Sequence, residues 1–250
     1  METIEIEGGL IRLYRSHPQG GRVLDRQVSL KEFLQELSAL PSSGLGEQAP
    51  LLPIGTRWAV FRGPSAVLAV EQPPQVHLVG FKEKAGRARS YRLAFPYVVH
   101  LLLFYRGSFE EMRIYYRKAP LSSEEDALYL SNLWNVSANE SPLTKCRACL
   151  SGRPLFEDLS LAGQAKEAIE FFWGAGFGLD VEENCFHRAQ TRDPRIASSE
   201  AWENATKEDP FFPLPIDWEE AGVRLRKAVE HLLDWRAMPG LSRGPRIWPT

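Results

Sequence analysis

The sequence predicts an α+β protein, an antiparallel β-meander flanked by helices. Short runs rich in β-branched and aromatic residues, broken by Gly-Pro, Pro-Pro and Arg-Gly steps, crowd residues 56–117. The longer helical patterns lie mostly after residue 160, so strands lead and helices follow. Composition agrees with a packed chain: of 250 residues, 44% are hydrophobic, 25% charged and 11% aromatic.

At the start, Ile4 and Ile6, then Leu10 to Tyr14, alternate with polar residues around Gly8-Gly9, which reads as two short strands and a tight turn. Ser29 and Glu32 form a capping-box signature before LKEFLQELSAL, whose Leu30, Phe33, Leu34 and Leu37 share one helical face. PSSGLGEQAPLLP is turn-rich and reads as a loop. The segments RWAVFRG, SAVLAVEQ, QVHLVGF, YVVHLLLFYRG and FEEMRIYYR follow as strands. Tyr97 to Tyr105 is almost wholly apolar and predicts a central strand covered on both faces. A helix is predicted from about Leu161 to Trp173, capped by Ser160 and stopped by Gly174. Arg188 to Pro215 reads as a surface excursion with one short helix near Ser199 to Lys207. DWEEAGVRLRKAVEHLLDW predicts a final helix capped by Asp217, with Glu220 in the capping-box position. Residues from Pro239 onward read as a tail. The divisions are 1–54 (hairpin and helix), 55–178 (core) and 179–250 (helical extension), forming one compact unit.

The balance of 30 Lys+Arg against 32 Asp+Glu provides no global field for nucleic acid or an anionic membrane, so neither is an expected partner. METIEIEGG lacks the pattern of a signal peptide, and the longest apolar run, Tyr97 to Phe104, is too short to span a bilayer. A cytoplasmic protein is expected. Three cysteines cannot all pair, and a reducing compartment leaves them as core thiols, metal ligands or catalysts.

Cys146-Arg-Ala-Cys149 has the spacing that lets two thiolates share a tetrahedral ion, and Cys185-Phe-His187 would complete a zinc site. The second pair's one-residue spacing is unusual for such a site; the alternative is Cys185 as a small buried hydrophobe and His187 on the surface. A redox role for the pair requires a helix opening beside a strand, whereas SPLTKCRACLSG reads as loop. No G-x-S-x-G, P-loop or dinucleotide fingerprint occurs. His100, inside an apolar strand, reads as a hydrogen-bonded core histidine, and Ser122 to Asp126 as a turn or solvated loop. Seven tryptophans and the Phe211-Phe212 pair supply either core or anchors for a protein partner.

In order, Tyr105-x-Gly107-x-Phe109, Ile114-Tyr-Tyr116, Pro120, Asn135-Val136 and Cys149-Leu150 resemble the core of the ubiquitin-conjugating (UBC) family. There a glycine-turn hairpin leads to a proline-bearing segment, then His-Pro-Asn-Val, then the catalytic Cys-Leu. The branch it most resembles is the divergent prokaryotic UBC-like proteins, including the B component of plasmid PRTRC systems. In them too, an Asn-Val precedes Cys-Leu-Gly after a proline-rich strand pair, matched here by VEQPPQVHLVGF. The resemblance covers roughly residues 55–152. It implies a UBC-like core with N- and C-terminal additions, carrying a ubiquitin-like modifier as a cysteine thioester in a bacterial conjugation, mobile-element or defence pathway. The implied partners are the modifier and its activating enzyme, with no cofactor. Cys149 matches the nucleophile, Cys146 is the second choice, and Asn135 matches the asparagine that faces the oxyanion. Leu133-Trp134 stand where the family has His-Pro, and the Asn-to-Cys interval is longer. The other reading is a catalytically inactive UBC-like, or zinc-stapled, interaction or assembly protein.

Overall fold

A computed structural model describes residues 2–16, 21–33, 51–82, 88–138, 145–150, 156, 159–178 and 185–237. Eleven strands are named among them: β1 (Glu2–Glu7), β2 (Leu10–Ser16), β3 (Arg22–Ser29), β4 (Thr56–Arg62), β5 (Ser65–Gln72), β6 (Gln75–Lys82), β7 (Ala88–Phe95), β8 (Tyr97–Tyr105), β9 (Ser108–Arg117), β10 (Ala127–Leu130) and β11 (Glu220–Arg224). The helices are α1 (Leu161–Gly174), α2 (Cys185–Gln190), α3 (Ser199–Glu208) and α4 (Leu225–Ala237). Nine strands form one sheet in the order β11-β10-β9-β8-β5-β4-β1-β2-β3, and β6-β7 forms a separate two-stranded sheet. Every strand pair is antiparallel. This is the expected α+β class with its large antiparallel sheet.

Strand β8 lies inside that sheet, between β5 and β9, and is buried from Val98 to Phe104. Side chains alternate across a sheet, so a strand covered on both faces has no polar face to show. His100 turns toward α1, where its ring meets Phe172 and Trp173. Leu101, one residue along, is equally buried and points to the other face, and α4 packs on β5 and β8. His100 is a core histidine as expected. Its Nε2 donates to Gln72 Oε1 at 3.0 Å, and Trp173 Nε1 donates to the same oxygen at 2.9 Å. Burial pulls its pKa down to about 3, with the neighbouring His77 adding to the shift.

The first hairpin forms as read, and Gly8 and Gly9 both adopt positive φ (55° and 82°) in its turn. Ser29 and Glu32 make the reciprocal bonds of a capping box: Glu32 N–H to Ser29 Oγ (3.2 Å) and Ser29 N–H to Glu32 Oε2 (3.0 Å). Residues 30–33 are helical; Leu34, Leu37, most of the 41–53 loop and the tail from Pro239 lie outside the described residues. Ser160 caps α1, accepting from Gly163 N–H, and Ser198 caps α3 from Ala201 N–H.

Two expectations are corrected. The segment after Asp217 does not begin a helix: residues 220–224 are β11, and α4 starts at Leu225. Asp217 Oδ1 accepts from Lys118 Nζ at 2.8 Å instead of capping, and Gly222 takes φ 73°, outside helical space. Strand β11 is drawn to β10, while the next N–H groups, of Leu225 and Arg226, bond to the Asp126 and Glu124 carbonyls. The 188–215 excursion is also more than a surface feature. Ile196, Trp202 and Phe212 within it are all at most 1% exposed, because α3 packs along β7. Strands β3, β7 and β10 were not read from the sequence. The sheet crosses both boundaries between the three proposed divisions, β1 pairing with β4 and β11 with β10.

Candidate functional site

Short strand β10 pairs with only the end of β9, at Tyr115 and Tyr116. The cysteine segment covers part of what remains. Ala148 N–H donates to Met112 O (2.9 Å), and Ile114 N–H to Cys146 O (2.8 Å). On its far side the segment pairs with residues 135–137: Ser137 N–H to Arg147 O (3.0 Å), Cys146 N–H to Ser137 O (2.7 Å) and Cys149 N–H to Asn135 O (2.7 Å). Asn135 and Cys149, distant in sequence, are thus main-chain neighbours on the edge of the central sheet.

Their side chains differ in setting. Asn135 is 8% exposed, and its Oδ1 accepts from Gly178 N–H at 3.3 Å. That bond turns the Nδ2 end, a pure donor, away from Gly178. Cys149 is partly exposed, whereas Cys146 is 1% exposed and Cys185 fully buried; none forms a disulfide. Burial pushes the Cys146 thiol up to about 12, although Lys145, Arg113, Arg188 and a hydrogen bond with Tyr115 pull the other way. A thiol held protonated at neutral pH is a poor nucleophile. Between the two cysteines of the pair, geometry favours Cys149.

Beneath the segment lies a charged group that sequence reading missed. Glu111 and Arg113, with side chains 1% and 2% exposed, pair at 3.1 Å, and Arg147 Nε approaches the second Glu111 oxygen at 3.4 Å. Buried charges persist only when paired, so this cluster fixes the segment's seat on β9. Its signal was present: Glu111 and Arg113 are two apart on a strand and share a face. Gly178, which orients Asn135, carried no such signal.

Leu133 and Trp134, which stand just before Asn135, are both fully buried. Trp134 packs against Phe81, Phe177 and Phe186 at ring distances of 5.0, 5.8 and 5.3 Å. An aromatic cluster therefore anchors the chain just before Asn135. The second half of the zinc set diverges: Cys185 is buried and His187 exposed. Among the described residues, no three His, Cys, Asp or Glu side chains gather as a metal site would require. Ser122 to Asp126 forms a turn in which the Asp126 carboxylate accepts from the Ser122 and Ser123 N–H groups and pairs with Arg117.

Comparison with protein-family models, curated proteins and solved structures returns no match. The likeness to UBC proteins therefore rests on the order of motifs in this chain. Among the described residues, no helix is long and apolar enough to cross a membrane.

Proposed function

We propose that the chain is a UBC-like carrier in which Cys149 holds the C-terminus of a ubiquitin-like protein as a thioester. The observation that carries this reading is the 2.7 Å bond from Cys149 N–H to Asn135 O, beside an Asn135 side chain whose oxygen is already engaged. The Cys149 thiolate attacks the carbonyl of the modifier's thioester on an activating enzyme. A new C–S bond forms, the old one breaks, and the departing thiolate takes up the proton that the Cys149 thiol gave up on ionising. An acceptor amine then attacks the same carbonyl, the C–N bond forms as the C–S bond breaks, and the proton shed by the amine goes to the Cys149 sulfur, which leaves as a thiol. In each step negative charge gathers on the carbonyl oxygen, where the Asn135 amide would donate.

The second reading, an inactive UBC-like scaffold for protein partners, is favoured by the wholly apolar role of Leu133 and Trp134 before Asn135. One experiment separates the two. The tagged chain, wild type or Cys149→Ser, is recovered from its native host and run on gels with and without dithiothreitol. A thiol-sensitive adduct on the wild type, replaced by a thiol-resistant, hydroxylamine-sensitive ester on Cys149→Ser, supports the carrier. If partners co-purify but neither adduct forms, the scaffold stands instead.

A further inference from the structure

Strand β3 is the last strand of the nine-stranded sheet, and no strand among the described residues pairs with its outer edge. It is eight residues long and exposed from Arg22 to Gln27, with Val23 and Leu24 at 50% and 48%. An open edge presents a row of unpaired N–H and C=O groups, a template for a further strand.

Which groups point outward follows from the register with β2. Leu30 N–H donates to Gly9 O at 2.8 Å, so Leu10 and Ser29 face each other without bonding to each other. Main-chain groups alternate along an antiparallel strand, so Ile11, Leu13 and Arg15 turn theirs toward β3, where Val28, Arg26 and Val23 meet them. Arg22, Leu24, Gln27 and Ser29 of β3 turn theirs away from β2. An unbroken strand would present every second residue. Here the irregularity between Leu13 and Tyr14 leaves Asp25 as an extra residue, which shifts the alternation by one. The outward residues are therefore placed symmetrically about the Asp25–Arg26 peptide bond.

We infer that β3 pairs with β3 of a second copy of this chain, antiparallel, around a two-fold axis at that peptide bond. In this register Leu24 and the second copy's Gln27 exchange both main-chain hydrogen bonds, and the axis repeats the rung. Ser29 N–H already donates to Glu32, so the ladder rests on these Leu24–Gln27 rungs. Between them Asp25 of each copy stands across from Arg26 of the other, and beyond them Val23 stands across from Val28. One register thus matches the bonding groups and sets opposite charges together on both sides of the axis, which an unrelated strand has no reason to do. Asp25 and Arg26 also have contacts within their own chain, and the Glu32 carboxylate feels the Arg26 charge, so the cross-axis pairs select register more than they supply affinity. This edge lies toward the opposite end of the sheet from β9 and Cys149, and the inference stands apart from the reading given there.

The test is sedimentation velocity of the full chain over a concentration series reaching about 100 μM, read as a dimer dissociation constant. The wild type should dimerise within the series. Asp25→Arg sets Arg against Arg on both sides of the axis, and Arg26→Asp sets Asp against Asp, so each alone should weaken the dimer about tenfold or more. An equimolar mixture of the two variants restores opposite charges at both contacts and should recover the dimer. Both positions are exposed, and an unchanged thermal midpoint checks that each variant folds. A wild type that stays monomeric throughout, charge variants that dimerise as tightly as it does, or a mixture no tighter than its components overturns the inference.

Discussion

Cys146 and Cys149 are three residues apart and chemically distinct. Iodoacetamide at neutral pH should label Cys149 in the folded chain and reach Cys146 and Cys185 only after denaturation. Intact mass followed by peptide mapping checks this; labelling of Cys146 at the rate of Cys149 would contradict its burial and raised pKa. Asn135 offers the next contrast. If it faces the oxyanion, Asn135→Ala should load the modifier normally and transfer it about 10²–10³-fold more slowly. A loss in loading alone would assign it to support of the loop. Cys149, Cys146 and Asn135 were all visible in the sequence as residue types at suggestive spacing. What sequence could not rank was their exposure, which depends on where β9 leaves an edge open.

Helix α3 shows how an element can close a sheet edge with side chains. Thr206 Oγ1 accepts from Ala94 N–H at 3.0 Å, Glu203 Oε1 accepts from Arg92 N–H at 3.0 Å, and Trp202 Nε1 donates to Ala94 O at 2.8 Å. Thr206→Val keeps the shape and strands a buried N–H, so urea unfolding should show a loss of about 1–3 kcal/mol. Glu203→Ala, at an exposed bond, should cost less. Strand β11 makes the same point through the backbone. A Cβ at Gly222 would meet nothing within 4 Å, so Gly222→Ala tests φ alone, and a loss of about 1 kcal/mol or more is expected. The sequence of this segment carries the marks of a helix start: Asp217, Glu220 and then an apolar stripe. Tertiary pairing with β10 overrode those marks, and Gly222 was the one residue that argued against a helix. Strand β3 escaped notice for the opposite reason. It is exposed over most of its length, so it has no buried face to impose alternation. By contrast β8, α1 and α3 were legible because burial on two faces, or a cap and a stripe, leaves a strong imprint.

At the scale of the whole molecule, acid acts through the imidazole locked between the sheet and α1. His100 is neutral in the fold with its pKa near 3, against 6.5 for the ordinary group. Below pH 6.5 the unfolded chain gains a proton that the folded chain refuses, so stability must fall as the pH drops toward 3. The slope approaches about 1.4 kcal/mol per pH unit for this one group. His77, stacked on Trp173 with ring centroids 3.8 Å apart and its own pKa lowered to about 4 by burial, adds in the same direction. Urea midpoints at pH 7.5 and 4.5 should diverge less in His100→Gln than in the wild type; identical divergence would remove His100 as the cause. The order of the strands has a further consequence, for synthesis. As the ribosome extends the chain, β8 and β9 emerge before α1 and α4, which later cover their faces. A nascent chain thus exposes its most apolar strand before the helices that cover it have been made, the interval in which such a segment is most open to misassembly.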